Sequence, residues 1–291
     1  YFEVFAPVAR LDTVRMIISL AAQNSWKIFQ MDVKSAFLNG VLEEEVYVEQ
    51  HLGYVKKGFE DKVYRLRKAL YGLKQAPRAW YTRIDSYFIE HDFQRCLYEP
   101  TLYVKSNKEG GIIIVCLYVD DLIFTSNNPA LISEFREAMI SHFEMTDLGL
   151  MSYFLGIEVT QTDGGIFISQ KKYAGDILKK FKMESSNSIL TPIEERLKLG
   201  KDGSGDLVNP TYFKQLVGSL RYLTSTRPDI VFGVGLISRF MEAPCQFHLQ
   251  EAKRILRYIR STRNDGLFYS CINNVEHVGY TDSDWAGNIE K

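Results

Sequence analysis

One segment constrains this chain more than any other: Ile112-Ile113-Ile114-Val115-Cys116-Leu117-Tyr118-Val119, then Asp120-Asp121, then Leu122-Ile123-Phe124. Two apolar runs, each too short for a helix and rich in the β-branched and aromatic residues that suit a pleated strand, flank two adjacent carboxylates. The pattern predicts a hairpin with Asp120-Asp121 at its tip. Asp is a common turn residue, so a solvated turn accounts for an isolated pair. A tight primed hairpin prefers Asn-Gly or Asp-Gly, however, and this pair lacks the Gly. Neighbouring negative charges beside an apolar sheet repel one another, a cost that a divalent cation relieves. Both readings stand at this point, and the second needs a third carboxylate.

Asp32 is the candidate for it. Trp26-Lys27-Ile28-Phe29-Gln30-Met31 reads as a strand running into Asp32, followed by Val33-Lys34-Ser35-Ala36-Phe37 and a turn at Asn39-Gly40. Asp32 could equally cap the turn that begins at Val33. Ahead of it, Leu11-Asp12-Thr13 offers capping residues for a helix through 14–22 that Asn24 closes. Pro77 suits the first turn of a helix whose Trp80, Ile84, Tyr87 and Phe88 form a buried stripe. Gln75 and Arg78 stand at its entry, where they either face a phosphate at the helix N-terminus or decorate a surface turn. A helix is expected over 129–143 with Leu131, Phe135, Met139 and Ile140 inward. Tyr153 to Val159 reads as a strand with a bulge or a close backbone approach at Gly156, and Thr162-Asp163-Gly164-Gly165 turns it back as a hairpin.

With 291 residues, 46% of them hydrophobic, and a net charge of −1, the chain can bury a large core, and neither disorder nor a wholly basic nucleic-acid coat fits; a local basic channel does. No apolar run reaches the ~18–20 residues of a membrane span. Four cysteines without a C-x-x-C pair, and five histidines without ligand spacing to a Cys or another His, suggest a reduced intracellular protein with no structural zinc. Tyr1-Phe2-Glu3-Val4-Phe5 reads as mid-domain sequence, so a piece of a longer protein is expected. A lysine-bearing helix over 169–183, a linker over 185–210 and three further helices over 210–226, 228–241 and 248–261 follow. Lys253, Arg254, Arg257, Arg260 and Arg263 line one face of the last, either as a solvated face or as a phosphate contact. Strands are expected at 267–269 and 275–280.

Taken in order, several blocks resemble one family. Phe5-Ala6-Pro7-Val8-Ala9-Arg10, the run Met31 through Gly40, Leu70 through Tyr81, Tyr118-Val119-Asp120-Asp121 and Tyr153 through Val159 are similar to the reverse transcriptase region of copia-type long-terminal-repeat retrotransposon polyproteins. Val217 through Leu223, Thr226-Arg227-Pro228-Asp229-Ile230 and Gly279 through Gly287 extend the resemblance over essentially the whole chain.

The resemblance implies an α+β fold: a right-handed polymerase palm, an antiparallel sheet with helices on one face, with partial fingers over 1–168. A helical thumb and linker over 169–205, an α/β connection over 206–274, and the first strand of a truncated RNase H-like domain over 275–291 would follow. It implies RNA-directed DNA polymerase activity, with two Mg²⁺ ions (Mn²⁺ as a substitute) ~3.5–4 Å apart on Asp32, Asp120, Asp121 and the Val33 backbone. Val33, Lys34, Ser35 and Ala36 match the turn whose backbone donors hold the triphosphate, Phe37 the ring that collides with a ribose 2′-hydroxyl, and Gln75 a residue near the incoming nucleotide and template. Arg78, Tyr118 and the primer-gripping hairpin at Phe154, Leu155 and Gly156 match template and primer contacts, and Asp282 an RNase H carboxylate. The implied partners are an RNA template, a DNA or RNA primer, deoxynucleotides, the remainder of a Pol polyprotein with its fingers, RNase H and integrase, and a second copy of the chain; no membrane is involved. The implied location is a cytoplasmic virus-like particle whose product goes to the nucleus. The family's triphosphate-clamping finger residues and the other RNase H carboxylates have no match here, and Gln50-His51-Leu52-Gly53 departs from the usual Gln-Pro-x-Gly. Those departures leave a catalytically inactive, nucleic-acid-binding remnant as the alternative function. A two-metal nuclease or phosphatase explains the carboxylates but not Phe37, Gln75 or the second hairpin.

Overall fold

The computed structural model describes residues 5–194, 199–200 and 205–271. Chain contacts divide it into two compact units, Tyr1–Met151 and Ser152–Lys291. The expected strand at 275–280 and Asp282 lie outside the described residues.

In the first unit, α1 (Leu11–Gln23) leads into β1 (Ile28–Val33), a 3-10 turn at Ala36–Asn39, and a ribbon of β2 (Val41–Glu49) and β3 (Val63–Lys68). Then come α2 (Ala76–Glu90), β4 (Gln94–Arg95), β5 (Leu102–Ser106), β6 (Ile112–Tyr118), β7 (Asp121–Ser126), α3 (Pro129–His142) and β8 (Met145–Leu150). Six strands form one antiparallel sheet in the order β4-β5-β6-β7-β1-β8, so β1, early in the chain, is inserted between two late strands. Its apolar strands are buried in the way a sheet covered on both faces requires.

Register decides what each face carries. Phe29, Met31, Leu122, Phe124, Val115 and Leu117 share the face that packs against the helix stripe Trp80, Ile84 and Phe88 of α2 and Phe135 and Met139 of α3. The other face carries Gln30, Asp32, Asp121 and Cys116. Burial, with the charge of Glu99 adding to it, pushes the Cys116 thiol up to about 12, so it behaves as a small apolar side chain.

Several expectations are corrected. Helix α1 begins at Leu11 without a side-chain cap; Thr13 donates instead to the Glu99 carboxylate at 3.0 Å, tying the helix to the loop before β5. In α3, Ile132 points inward and Ile140 is 48% exposed, because the helix begins at Pro129 and its buried stripe runs through 132, 135 and 139. Gly40 stands at the expected turn with Asn39. It closes the 3-10 turn at φ −74°, and it is needed because a Cβ would lie 2.7 Å from the Trp80 backbone nitrogen.

The second unit opens with β9 (Tyr153–Phe154), β10 (Ile157–Thr162) and β11 (Gly165–Ser169), followed by α4 (Lys171–Lys180), α5 (Pro210–Leu223), α6 (Val231–Ser238), α7 (Gln246–Ser261) and β12 (Gly266–Ser270). The expected single strand over 153–159 is two strands, broken by a tight turn in which Leu155 (φ 49°) and Gly156 (φ 78°) are both left-handed. Strand β11 pairs along its length with β12, both within the second compact unit. The four helices share an apolar cluster that includes Leu178, Phe213, Leu216, Ile237, Ile255 and Ile259. Three arginines of α7 are engaged within the chain while Arg260 stays exposed: Arg254 binds Glu194 at 2.8 Å and Thr191 at 3.1 Å, Arg257 donates to the Asn187 carbonyl at 2.8 Å, and Arg260 to that of Ser186. Cys245 and His248, three apart and not expected to pair, lie with Sγ and Nδ1 3.4 Å apart, buried at the start of α7.

Candidate active site

Antiparallel pairing sets Asp32 of β1 directly opposite Asp121 of β7, with Tyr118 of β6 completing the row. Residues opposite one another in an antiparallel pair share a face, so the two carboxylates lie side by side on the face away from the aromatic core. Asp120 occupies the two-residue loop with Val119, and Asp121 is the first residue of β7 rather than part of the tip. Val119 has φ 57°, a conformation costly for a β-branched residue. Two clamps hold it there. The Trp80 indole N–H donates to the Val119 carbonyl at 2.6 Å, and the Val33 amide donates to the Asp120 carbonyl at 2.9 Å.

The electrostatics follow from this proximity. Burial, then the charge of Asp120, raises the Asp32 carboxyl above its ordinary value. Burial raises Asp121 as well; the Gln30 amide, donating to Asp121 Oδ1 at 3.1 Å, opposes this, while Asp120 and Asp32 add to it. Gln30, two residues before Asp32 on the same face, was not among the expected site residues, although period-two alternation along the strand points to it.

Tyr71 was also missed. It follows β3, and the Ala69 amide bonds the Gly40 carbonyl at 2.9 Å, which brings this stretch beside the 3-10 turn. Its ring lies 4.3 Å from that of Phe37. Burial, then the charges of Asp120 and Asp32, raises the Tyr71 phenol, with the Ala36 backbone opposing. Gln75, by contrast, is the N-cap of α2, where its carbonyl accepts from the Ala79 amide at 3.0 Å.

Of the expected cradle, the amide of Val33 is already used by Asp120 and that of Lys34 by the Glu144 carbonyl at 2.9 Å; Lys34 Nζ also lies 3.6 Å from the Glu144 carboxylate. Ser35 is left-handed at φ 51°, and Ala36 is buried. Arg78 donates to the Phe5 carbonyl at 3.5 Å and lies over the Tyr81 ring. Phe154, Leu155 and Gly156 belong to the second unit. There the Phe154 side chain is buried, and the Tyr222 hydroxyl donates to the Leu155 carbonyl.

Among the described residues, no three His, Cys, Asp or Glu side chains group into a ready metal cage. The neighbouring carboxylates of Asp32 and Asp121, with Asp120 close enough to raise both, nevertheless suit a hard divalent cation of the Mg²⁺ type, which takes oxygen ligands and keeps several waters.

Residues 1–195 match the family model described as reverse transcriptase (RNA-dependent DNA polymerase). The chain is 38% identical over 288 residues, 99% of its length, to the retrovirus-related Pol polyprotein from transposon RE1 of Arabidopsis thaliana, covering 20% of that protein. It is 38% identical over 300 residues to the corresponding polyprotein from transposon TNT 1-94 of Nicotiana tabacum, covering 22% of it. It thus spans about a fifth of the length of these relatives. It is also 33% identical over 255 residues to the putative transposon Ty5-1 protein of Saccharomyces cerevisiae, covering 82% of that protein.

Proposed function

The chain belongs to the reverse transcriptase (RNA-dependent DNA polymerase) family, in the form found in copia-type Pol polyproteins, and on that premise we propose that its first unit is the palm of an RNA-directed DNA polymerase. The reaction would join a primer 3′-hydroxyl to the α-phosphorus of a deoxynucleotide on an RNA template, releasing pyrophosphate. The observation that carries the reading is the register of Asp32 against Asp121, with Asp120 in the adjoining turn. Asp32, Asp120 and Asp121 would hold a pair of divalent ions, which supply charge neutralisation at the phosphates and activation of the attacking hydroxyl.

The chain's own residues do the positioning. Gln30 fixes one oxygen of Asp121, while Trp80 and Val33 hold the Val119-Asp120 turn, so the carboxylates need little reorganisation. With the Val33 and Lys34 amides engaged, a triphosphate in the cradle would be met by donors from Ser35 onward. Phe37, at the edge of the aromatic core, would lie against the sugar. In the second unit, the Leu155-Gly156 turn would present backbone groups to the primer, with α4 and the helices after it as thumb and connection.

The test is extension of a DNA primer on an RNA template by the purified chain with Mg²⁺. Incorporation that Asp120→Asn abolishes is expected. Incorporation that survives the change refutes the assignment, and salt-dependent nucleic-acid binding without incorporation favours the binding module instead.

A further inference from the structure

We propose that Tyr71 is a positioning residue for sugar selection: its ring braces Phe37, so that Phe37 stands as a rigid wall against a ribose 2′-hydroxyl. The inference rests on the polymerase reading above and on Phe37 lining the nucleotide sugar.

The argument begins with what an aromatic wall needs. A ring excludes one extra hydroxyl only if it cannot rotate away, and a Phe on an exposed turn has free rotamers unless something packs against it. Phe37 is partly buried against the edge of the aromatic core, from a 3-10 turn of four residues. Its ring also meets that of Tyr71, at 4.3 Å between centroids with a 40° tilt, close enough for an aromatic pair to attract.

The backbone fixes Tyr71 rather than leaving it to chance. The Ala69 amide joins the Gly40 carbonyl, next to the turn that carries Phe37. The Leu73 amide then closes on the Leu70 carbonyl at 3.3 Å, and Gly72 at φ 94° lets the chain reverse, leaving Tyr71 at the corner. Tyr71 is nevertheless 57% exposed, so core packing does not account for a large ring held in this place. Its phenol also lies within the field of Asp32 and Asp120.

Single-nucleotide extension with deoxynucleotides and ribonucleotides tests this in the unaltered chain and in Tyr71→Ala, Tyr71→Phe and Phe37→Ala, with melting curves to show that each is folded. Tyr71→Ala should lower the deoxy-to-ribo selectivity in kcat/KM roughly tenfold, mainly through a lower ribonucleotide KM, as loss of one pocket contact does. Tyr71→Phe keeps the ring and should retain the selectivity. Selectivity unchanged in Tyr71→Ala but lost in Phe37→Ala overturns the role of Tyr71 and leaves the polymerase reading intact. Failure of the unaltered chain to incorporate either nucleotide overturns that reading, and this inference with it.

Discussion

The indole N–H of Trp80 donates to the carbonyl of Val119 at 2.6 Å, joining the first turns of α2 to the loop that carries Asp120. Trp80 is 1% exposed, so the apolar stripe that seats α2 on the sheet also restrains the candidate site on its far edge. Replacing Trp80 with Phe keeps most of the ring but removes the donor, leaving a strained turn with an unpaired carbonyl. Urea unfolding should show a loss of about 1–3 kcal/mol, and primer extension should fall further than stability does. Unchanged stability would mean that the bond does not restrain the turn.

Asp32 and Asp121 have raised carboxyl pKa values in the folded chain, so the folded state holds their protons more tightly than the unfolded chain does. Their ionisation therefore costs stability as pH rises through those values, and below the ordinary Asp range the cost is absent. Asp121→Asn, whose amide oxygen can still accept from Gln30, should stabilise the protein at pH 7 by roughly 0.5 kcal/mol, a figure reduced for solvent screening. Melting curves should show the gain vanish at acid pH, and extension activity should be lost at every pH.

A divalent cation should relieve the same repulsion. Millimolar Mg²⁺ should raise the melting temperature of the unaltered chain and leave that of the Asp32→Asn, Asp121→Asn double variant where it was. An equal shift in both would place the ion elsewhere.

Asp229 behaves in the opposite sense. Burial alone would raise its carboxyl, but three hydrogen bonds from the Arg227 guanidinium and that group's charge outweigh burial and hold it below its ordinary value. Arg227, 2% exposed, also donates to the Thr262 carbonyl at 2.8 Å and so joins the start of α6 to the end of α7. This contribution is present above the ordinary Asp pKa and is lost as pH falls through the lowered one. Arg227→Met should cost about 2–3 kcal/mol in denaturant unfolding at pH 7, and less at pH 3.

Gly156 is the residue its turn demands. Its φ of 78° suits glycine, and a Cβ there would run into the Tyr222 hydroxyl that binds the Leu155 carbonyl. Gly156→Ala should destabilise the second unit by about 1–3 kcal/mol, and Tyr222→Phe by less; hydrogen exchange at the Ile157 amide would report both.

Much of this was legible beforehand. The stripe of α2, the hairpins on either side of Asp120 and Gly164, and the helices of the second unit follow from spacing, because period and turn chemistry are local properties. The ordered motifs identified the family for the same reason. Alternation along β1 put Gln30 on the face of Asp32, but its bond to Asp121, the place of Tyr71 and the Trp80–Val119 bond were not legible, since each depends on a partner distant in the chain. Cys245 and His248 sat three apart in plain view, but only the cap at the start of α7 turns the His248 ring back onto the Cys245 amide at 3.1 Å. Likewise, spacing left the α7 arginines open as a solvated face or a phosphate contact, because the 186–194 segment that bonds Arg254 and Arg257 lies far off in the chain.

The sequence by itself determined which stretches are strands and helices and which side chains carry charge. Tertiary structure decided that β1 enters the sheet between β7 and β8, and with which register. A shift of one residue in that pairing would turn Asp32 into the aromatic core and Met31 toward Asp121. That choice belongs to the packing of the whole face against α2 and α3, an energy summed over residues from five elements, and no local stretch contains it.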